Sequence, residues 1–207
     1  MSGLRLGLFG GTFDPIHFGH LYIANAVLAQ ADLDRVLFVP VAQPAHRAAH
    51  APPDHRAVMV VRAIEGNDRF AFDDSALRQA GPAYTADTLP LVRDRYPDAQ
   101  FSFIAGSDSL LQSRWQRLED VLSALERFYV VARERTATVD LQPVLRDLPA
   151  PLAQRFTVLH LPFVDVSASA LREAVARGEP IRYLTPDAVV EYIERNGLYR
   201  AAQSSPA

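Results

Sequence analysis

The chain holds no cysteine, no lysine and a single tryptophan in 207 residues. Without cysteine there are no disulfides and no thiolate metal sites, which fits a reducing cytoplasm. Without lysine there can be no G-x-x-x-x-G-K-[ST] phosphate loop. All 21 basic side chains are therefore arginine, each a planar, permanently charged fork. No apolar run approaches the ~20 residues of a membrane span. The opening "MSGLRLGLFGG" is too short and too broken by glycine for a signal peptide. A net charge of −3 advertises no nucleic-acid partner. The expectation is a cytoplasmic chain with neither nucleic acid nor membrane as partner, and association of identical copies is left open.

What is present is a regular alternation. With 49% hydrophobic residues the chain can bury a full core. Apolar runs at 4–9, 35–40, 101–106, 127–133 and 156–162, with a short one at 69–74, read as strands. Segments with helical spacing separate them: 17–30, 54–67 with Asp54 as N-cap, 84–97, 118–126, 167–178 and 185–197. Residues 134–155 carry three prolines and little periodicity and read as the least ordered connection. Such alternation predicts an α/β fold, a doubly wound Rossmann-like parallel sheet with helices on both faces and a helical C-terminal segment. We expect one domain over 1–200 and a flexible tail over 201–207. Ligands of such sheets bind beyond the carboxyl ends of the strands, here after Phe9, Pro40, Gly106 and Pro162.

The first of those loops concentrates the chemistry. "GLFGGTFDPIHFGH" runs from a strand through Gly10 and Gly11, a turn, and then His17 and His20. It lacks the G-x-G-x-x-G spacing of a dinucleotide turn. Two histidines, even with Asp14, fall short of a zinc site. A phosphate cradle fits better. Glycines bring backbone N–H groups close to a ligand, and a helix N-terminus adds partial positive charge. The histidines can donate to phosphate oxygens and neutralise charge developing in a transition state.

"GGTFDPIHFGH" resembles the T/HxGH signature of the nucleotidylyltransferase superfamily. A second superfamily motif, ISSTxIR, has its counterpart in "VSASALR", with Ser167, Ser169 and Arg172 retained and Ala168 in place of the middle serine. Three further stretches resemble the nicotinate-nucleotide adenylyltransferase family. They are "VPVAQPAHR", with Ala45 where that family has a second proline, "PAYTADTL" and "FIAGSDSLLQSRW". The resemblance covers the chain from Gly7 to "NGLYR".

It implies adenylyl transfer from ATP to nicotinate mononucleotide, giving deamido-NAD and pyrophosphate, with Mg²⁺ carried by ATP. His17, His20 and Arg47 are the implied catalytic residues. ATP would meet Gly10, Gly11, Thr12, Phe13, Gly106, Asp108, Ser167, Ser169 and Arg172. Nicotinate mononucleotide would meet His46, Arg47, Tyr84, Thr85, Trp115 and Arg133, with the Trp115 ring stacked on the nicotinate. Backbone N–H groups near Tyr84 and Trp115 suit a carboxylate better than an amide. The alternatives are another phosphate acceptor, nicotinamide mononucleotide foremost, or a nucleotide-binding regulator without turnover.

Overall fold

A computed structural model describes residues 3–44, 48–112, 115–132, 139–162 and 164–201. Six strands form one all-parallel sheet: β1 (Arg5–Gly11), β2 (Arg35–Pro40), β3 (Phe70–Phe72), β4 (Gln100–Gly106), β5 (Arg127–Ala132) and β6 (Phe156–His160). Their order is β3-β2-β1-β4-β5-β6. The direction of winding reverses between β1 and β4, which pair from Arg5↔Gln100 to Phe9↔Ile104. That is the switch point at which a doubly wound sheet opens a crevice.

Strand parity decides which helices cover which face. Phe9, Val36, Phe38, Ile104, Tyr129 and Val131 share one core cluster with residues of α1 (Phe18–Gln30), α2 (Pro53–Ile64), α8 (Ala168–Ala176) and α9 (Asp187–Arg195). The alternate residues Leu8, Leu37, Val39, Phe103 and Val130 share the other with α3 (Thr85–Arg95), α4 (Ser107–Gln112) and α5 (Leu118–Ser123). Each strand is apolar on both sides because both sides are roofed.

Several boundaries differ from the sequence reading. Gly10 and Gly11 belong to β1, paired with Val39 and Pro40, so the turn starts after them. Asp54 is not the cap of α2: extended Pro52 holds that position and Pro53 opens the helix, where its missing N–H is no loss. Tyr84 caps α3, and Thr85 is its first helical residue. Within 139–155 the chain forms two short helices, α6 (Gln142–Leu145) and α7 (Ala150–Ala153). Val139, Leu141, Val144, Leu148 and Leu152 pack there against the second core, too few in each turn to register as a periodic pattern. No helix among the described residues is long and apolar enough to cross a membrane.

Candidate active site

The site grows from the end of β1. Gly11 leaves room for the chain's own Phe13: a Cβ there would stand 2.9 Å from the Phe13 ring. Gly10 is opposed in the same way by Phe103 at 3.3 Å. The close approach that these glycines permit is thus to aromatic side chains of the protein. Phe13 takes a left-handed backbone (φ 49) and turns its ring into the core, edge-on to Phe9 and against Phe38. Its ring is buried, so it is the Phe13 backbone that a ligand can meet.

His17 is the N-cap of α1 and His20 its third residue. The His17 backbone N–H donates to Nδ1 of His20 at 3.3 Å. A neutral His20 ring so engaged carries its proton on Nε2, which makes Nε2 the donor. The two imidazoles stack with centroids 3.7 Å apart, and Phe13 meets His20 edge-on at 5.1 Å. Gly19 is what lets His17 fold back, since a Cβ there would touch its ring at 3.0 Å.

Asp14 organises the turn. Its carboxylate is buried and accepts the His50 N–H (2.6 Å), the Ala51 N–H (3.1 Å) and the Tyr199 hydroxyl (2.7 Å). Its carbonyl accepts Arg172 Nη1 at 2.7 Å. Part of the Arg172 guanidinium is thus spent inside the protein, tying α8 to the first turn. Ser167 caps α8 by accepting the Ala170 N–H at 3.2 Å, and its Oγ lies 3.1 Å from that of Ser169.

His17, Asp108 and Ser167 line one cleft of about 270 Å³, bordered by Tyr22, Ile23 and Val131. The end of β5, the segment after β6 and the starts of α1, α4 and α8 all open into it. Asp108 is exposed there, and Gly106 closes β4 beside Val131. On the other side, Tyr84 and Thr85 begin α3. The segment before them is tied to the loop after β2 by the Ala83 N–H donating to the Gln43 carbonyl at 3.0 Å. Trp115 packs edge-on against Phe103 (5.5 Å) and Phe128 (5.1 Å) at the border of the second core, where its Nε1 is buried with no hydrogen-bond acceptor among the described residues. His46, Arg47 and Arg133 lie outside the described residues.

Sequence reading missed Arg56. Its guanidinium is wholly buried and donates to four carbonyls: Ala51 (3.1 Å), Thr12 (2.8 Å), Val41 (2.7 Å) and Ala42 (2.8 Å). Burial pulls its pKa down, while the nearby Asp14 charge opposes that change. One signal was available. Arg56 falls on the buried stripe of α2, in register with Met59, Val60 and Ile64.

A family model described as "Cytidylyltransferase-like" matches residues 8–174. A protein of Thermomicrobium roseum named "Probable nicotinate-nucleotide adenylyltransferase" is 40% identical over 202 residues, 97% of this chain and 94% of its own. One of the same name from Roseiflexus sp. is 43% identical over 97% of this chain and all of its own length. Among solved structures, the Plasmodium falciparum nicotinic acid mononucleotide adenylyltransferase complexed with NaAD superposes with a TM-score of 0.74 at 19% identity. That match covers 95% of this chain and 97% of the other.

Proposed function

This chain belongs to the nicotinate-nucleotide adenylyltransferases, within the cytidylyltransferase-like family, and is a nucleotidyltransferase; from that premise we propose how its residues divide the reaction. The reaction is adenylyl transfer for NAD biosynthesis. An oxygen of the nicotinate mononucleotide phosphate attacks the α-phosphorus of ATP. The bond from that phosphorus to the bridging oxygen breaks, and pyrophosphate carries the electron pair away. The nucleophile is already an anion, so no strong base is needed, and catalysis rests on alignment and charge stabilisation.

ATP occupies the cleft of His17, Asp108 and Ser167, with Asp108 accepting from a ribose hydroxyl. The triphosphate lies along the Thr12–Phe13 backbone, toward the start of α8 with Ser167 and Ser169 and the remaining nitrogens of Arg172. His20 Nε2–H and the His17 ring donate to oxygens that gain charge as the bridge breaks. Mg²⁺ arrives as part of the substrate, on triphosphate oxygens and water. The described residues include no group of three or more His, Asp or Glu able to hold a metal. On the acceptor side we place Tyr84, Thr85 and Trp115, with His46, Arg47 and Arg133 for the nicotinate mononucleotide phosphate.

The observation that carries this reading is the stacked histidine pair, with His17 facing the same cleft as the α8 cap. The test is pyrophosphate release from ATP with nicotinate mononucleotide or nicotinamide mononucleotide as acceptor. Faster release with nicotinate mononucleotide is expected. Equal release would remove the carboxylate selectivity, and none with either would leave a nucleotide-binding protein without turnover.

A further inference from the structure

The turn that presents the histidines is held from outside, by the last part of the chain. Besides Arg172, Thr185 Oγ1 donates to the Ile16 carbonyl at 2.8 Å, and the Phe18 N–H donates to the Leu184 carbonyl at 3.0 Å. The furthest of these bonds, 185 residues apart in sequence, is the Tyr199 hydroxyl to Asp14 Oδ1. Tyr199 follows α9 in a left-handed conformation (φ 63), uncommon for a residue with a side chain. Such an outlier persists where the surroundings determine it, and here it delivers the phenol to the buried carboxylate.

We propose that Tyr199 is a positioning residue for adenylyl transfer, holding Asp14 so that the His17 backbone N–H meets His20 Nδ1 and fixes the His20 ring. The chain of contacts is short. Tyr199 fixes the Asp14 side chain, and Arg172 and Thr185 fix the carbonyls of Asp14 and Ile16. The next amide is that of His17, the donor to His20. Losing the hydroxyl removes one donor from a carboxylate that, among the described residues, keeps the backbone amides of His50 and Ala51 and the edge of the His50 ring. The turn then relaxes, and the His20 ring exchanges one donor geometry for several. Burial and the Asp14 charge push the Tyr199 pKa well up, so the hydroxyl keeps its proton at any working pH.

This inference rests on the adenylyl-transfer reading, and its test is chosen to fail separately. Tyr199→Phe keeps the ring and removes only the donor. Tyr192→Phe is the control, because Tyr192 gives up a comparable bond, to His55 Nδ1 at 2.9 Å on the α2–α9 seam. In folded Tyr199→Phe, kcat should fall roughly 10–100-fold with KM for ATP within about threefold. Nitrogen NMR shifts of His20 should move from a single Nε2–H tautomer to a mixture. Tyr192→Phe should match the wild type in both.

Wild-type kcat and a single His20 tautomer in Tyr199→Phe would overturn the proposal. So would equal losses in the two variants, which would mark a general effect of the C-terminal segment. The tautomer measurement, made well below the melting temperature, decides the case even for a variant too labile to assay. It also decides it if the wild type releases no pyrophosphate, an outcome that sinks the functional reading alone.

Discussion

The backbone N–H of His17 points at Nδ1 of His20, 3.3 Å away, while the two rings stack at 3.7 Å. One histidine thereby sets the hydrogen-bonding character of the other, leaving Nε2 of His20 as the atom that donates. If that atom carries the catalytic contact, substitutions should rank by where they place an N–H. His20→Ala should lower kcat by about 10²–10³, as for losing one transition-state donor. His20→Gln, whose amide can reach the Nε2 position, should retain more activity than His20→Asn, whose amide reaches only Nδ1. Steady-state kcat for the three variants checks the order, and a better Asn variant would reverse the assignment.

Gly11→Ala probes the packing beneath the pair. The new methyl would press on Phe13 at 2.9 Å, and that ring is confined by Phe9, Phe38 and His20. Overpacking of this kind costs about 1–3 kcal/mol. Denaturant unfolding should show that loss, and kcat should fall with it as His20 is displaced. In a Phe13→Leu background the added methyl should cost less, a coupling that a double-mutant cycle measures.

Arg56→Met should be among the most damaging single changes to stability. It strips the donors from the carbonyls of Thr12, Val41, Ala42 and Ala51 at a buried position. Removing a buried charged donor from its acceptors costs roughly 3–5 kcal/mol. Arg56→Lys keeps the charge but not the fork, so it should fall between wild type and Met in urea unfolding.

The pair at the start of the sheet gives a pH signature. Asp34 accepts from the Arg5 side chain and, at 2.7 Å, from the Arg5 backbone N–H, and both bonds hold its carboxyl below the ordinary range. A depressed folded-state pKa adds stability that is complete above the unfolded value and disappears as pH falls through the folded one. The melting-temperature gap between wild type and Asp34→Asn should therefore be widest near neutrality. It should begin to narrow as pH falls below about 4 and vanish only once pH has passed through the lowered folded-state value. Because the pair is half exposed, added salt should narrow the gap as well.

Local signals made much of this legible. "RVLFVP" is β2 to the residue, because after exposed Arg35 a strand covered on both faces runs through five consecutive buried apolar positions. Either Ser167 or Ser169 can cap the helix from its place at the start of the helical pattern, and the structure gives that role to Ser167. The helices α4, α6 and α7 have six or fewer residues each, under two turns, and leave no periodic trace. Gly10 and Gly11 read as a turn, although parallel pairing to β2 carries them into the strand. The inward turn of the Phe13 ring was not legible, because its burial depends on Phe38, a neighbour only in the folded sheet. The links from Asp14 to Arg172 and Tyr199 join residues more than 150 positions apart, beyond any pattern of local spacing.

That last separation bears on how the chain comes to life during synthesis. The histidine turn is made before β2, yet its partners Arg172, Thr185 and Tyr199 follow β6. A nascent chain can pair β1 with β2 and β4 while the turn still lacks these ties. Catalytic competence should then arrive as a late, separate event in translation, after most of the sheet can already resist a protease.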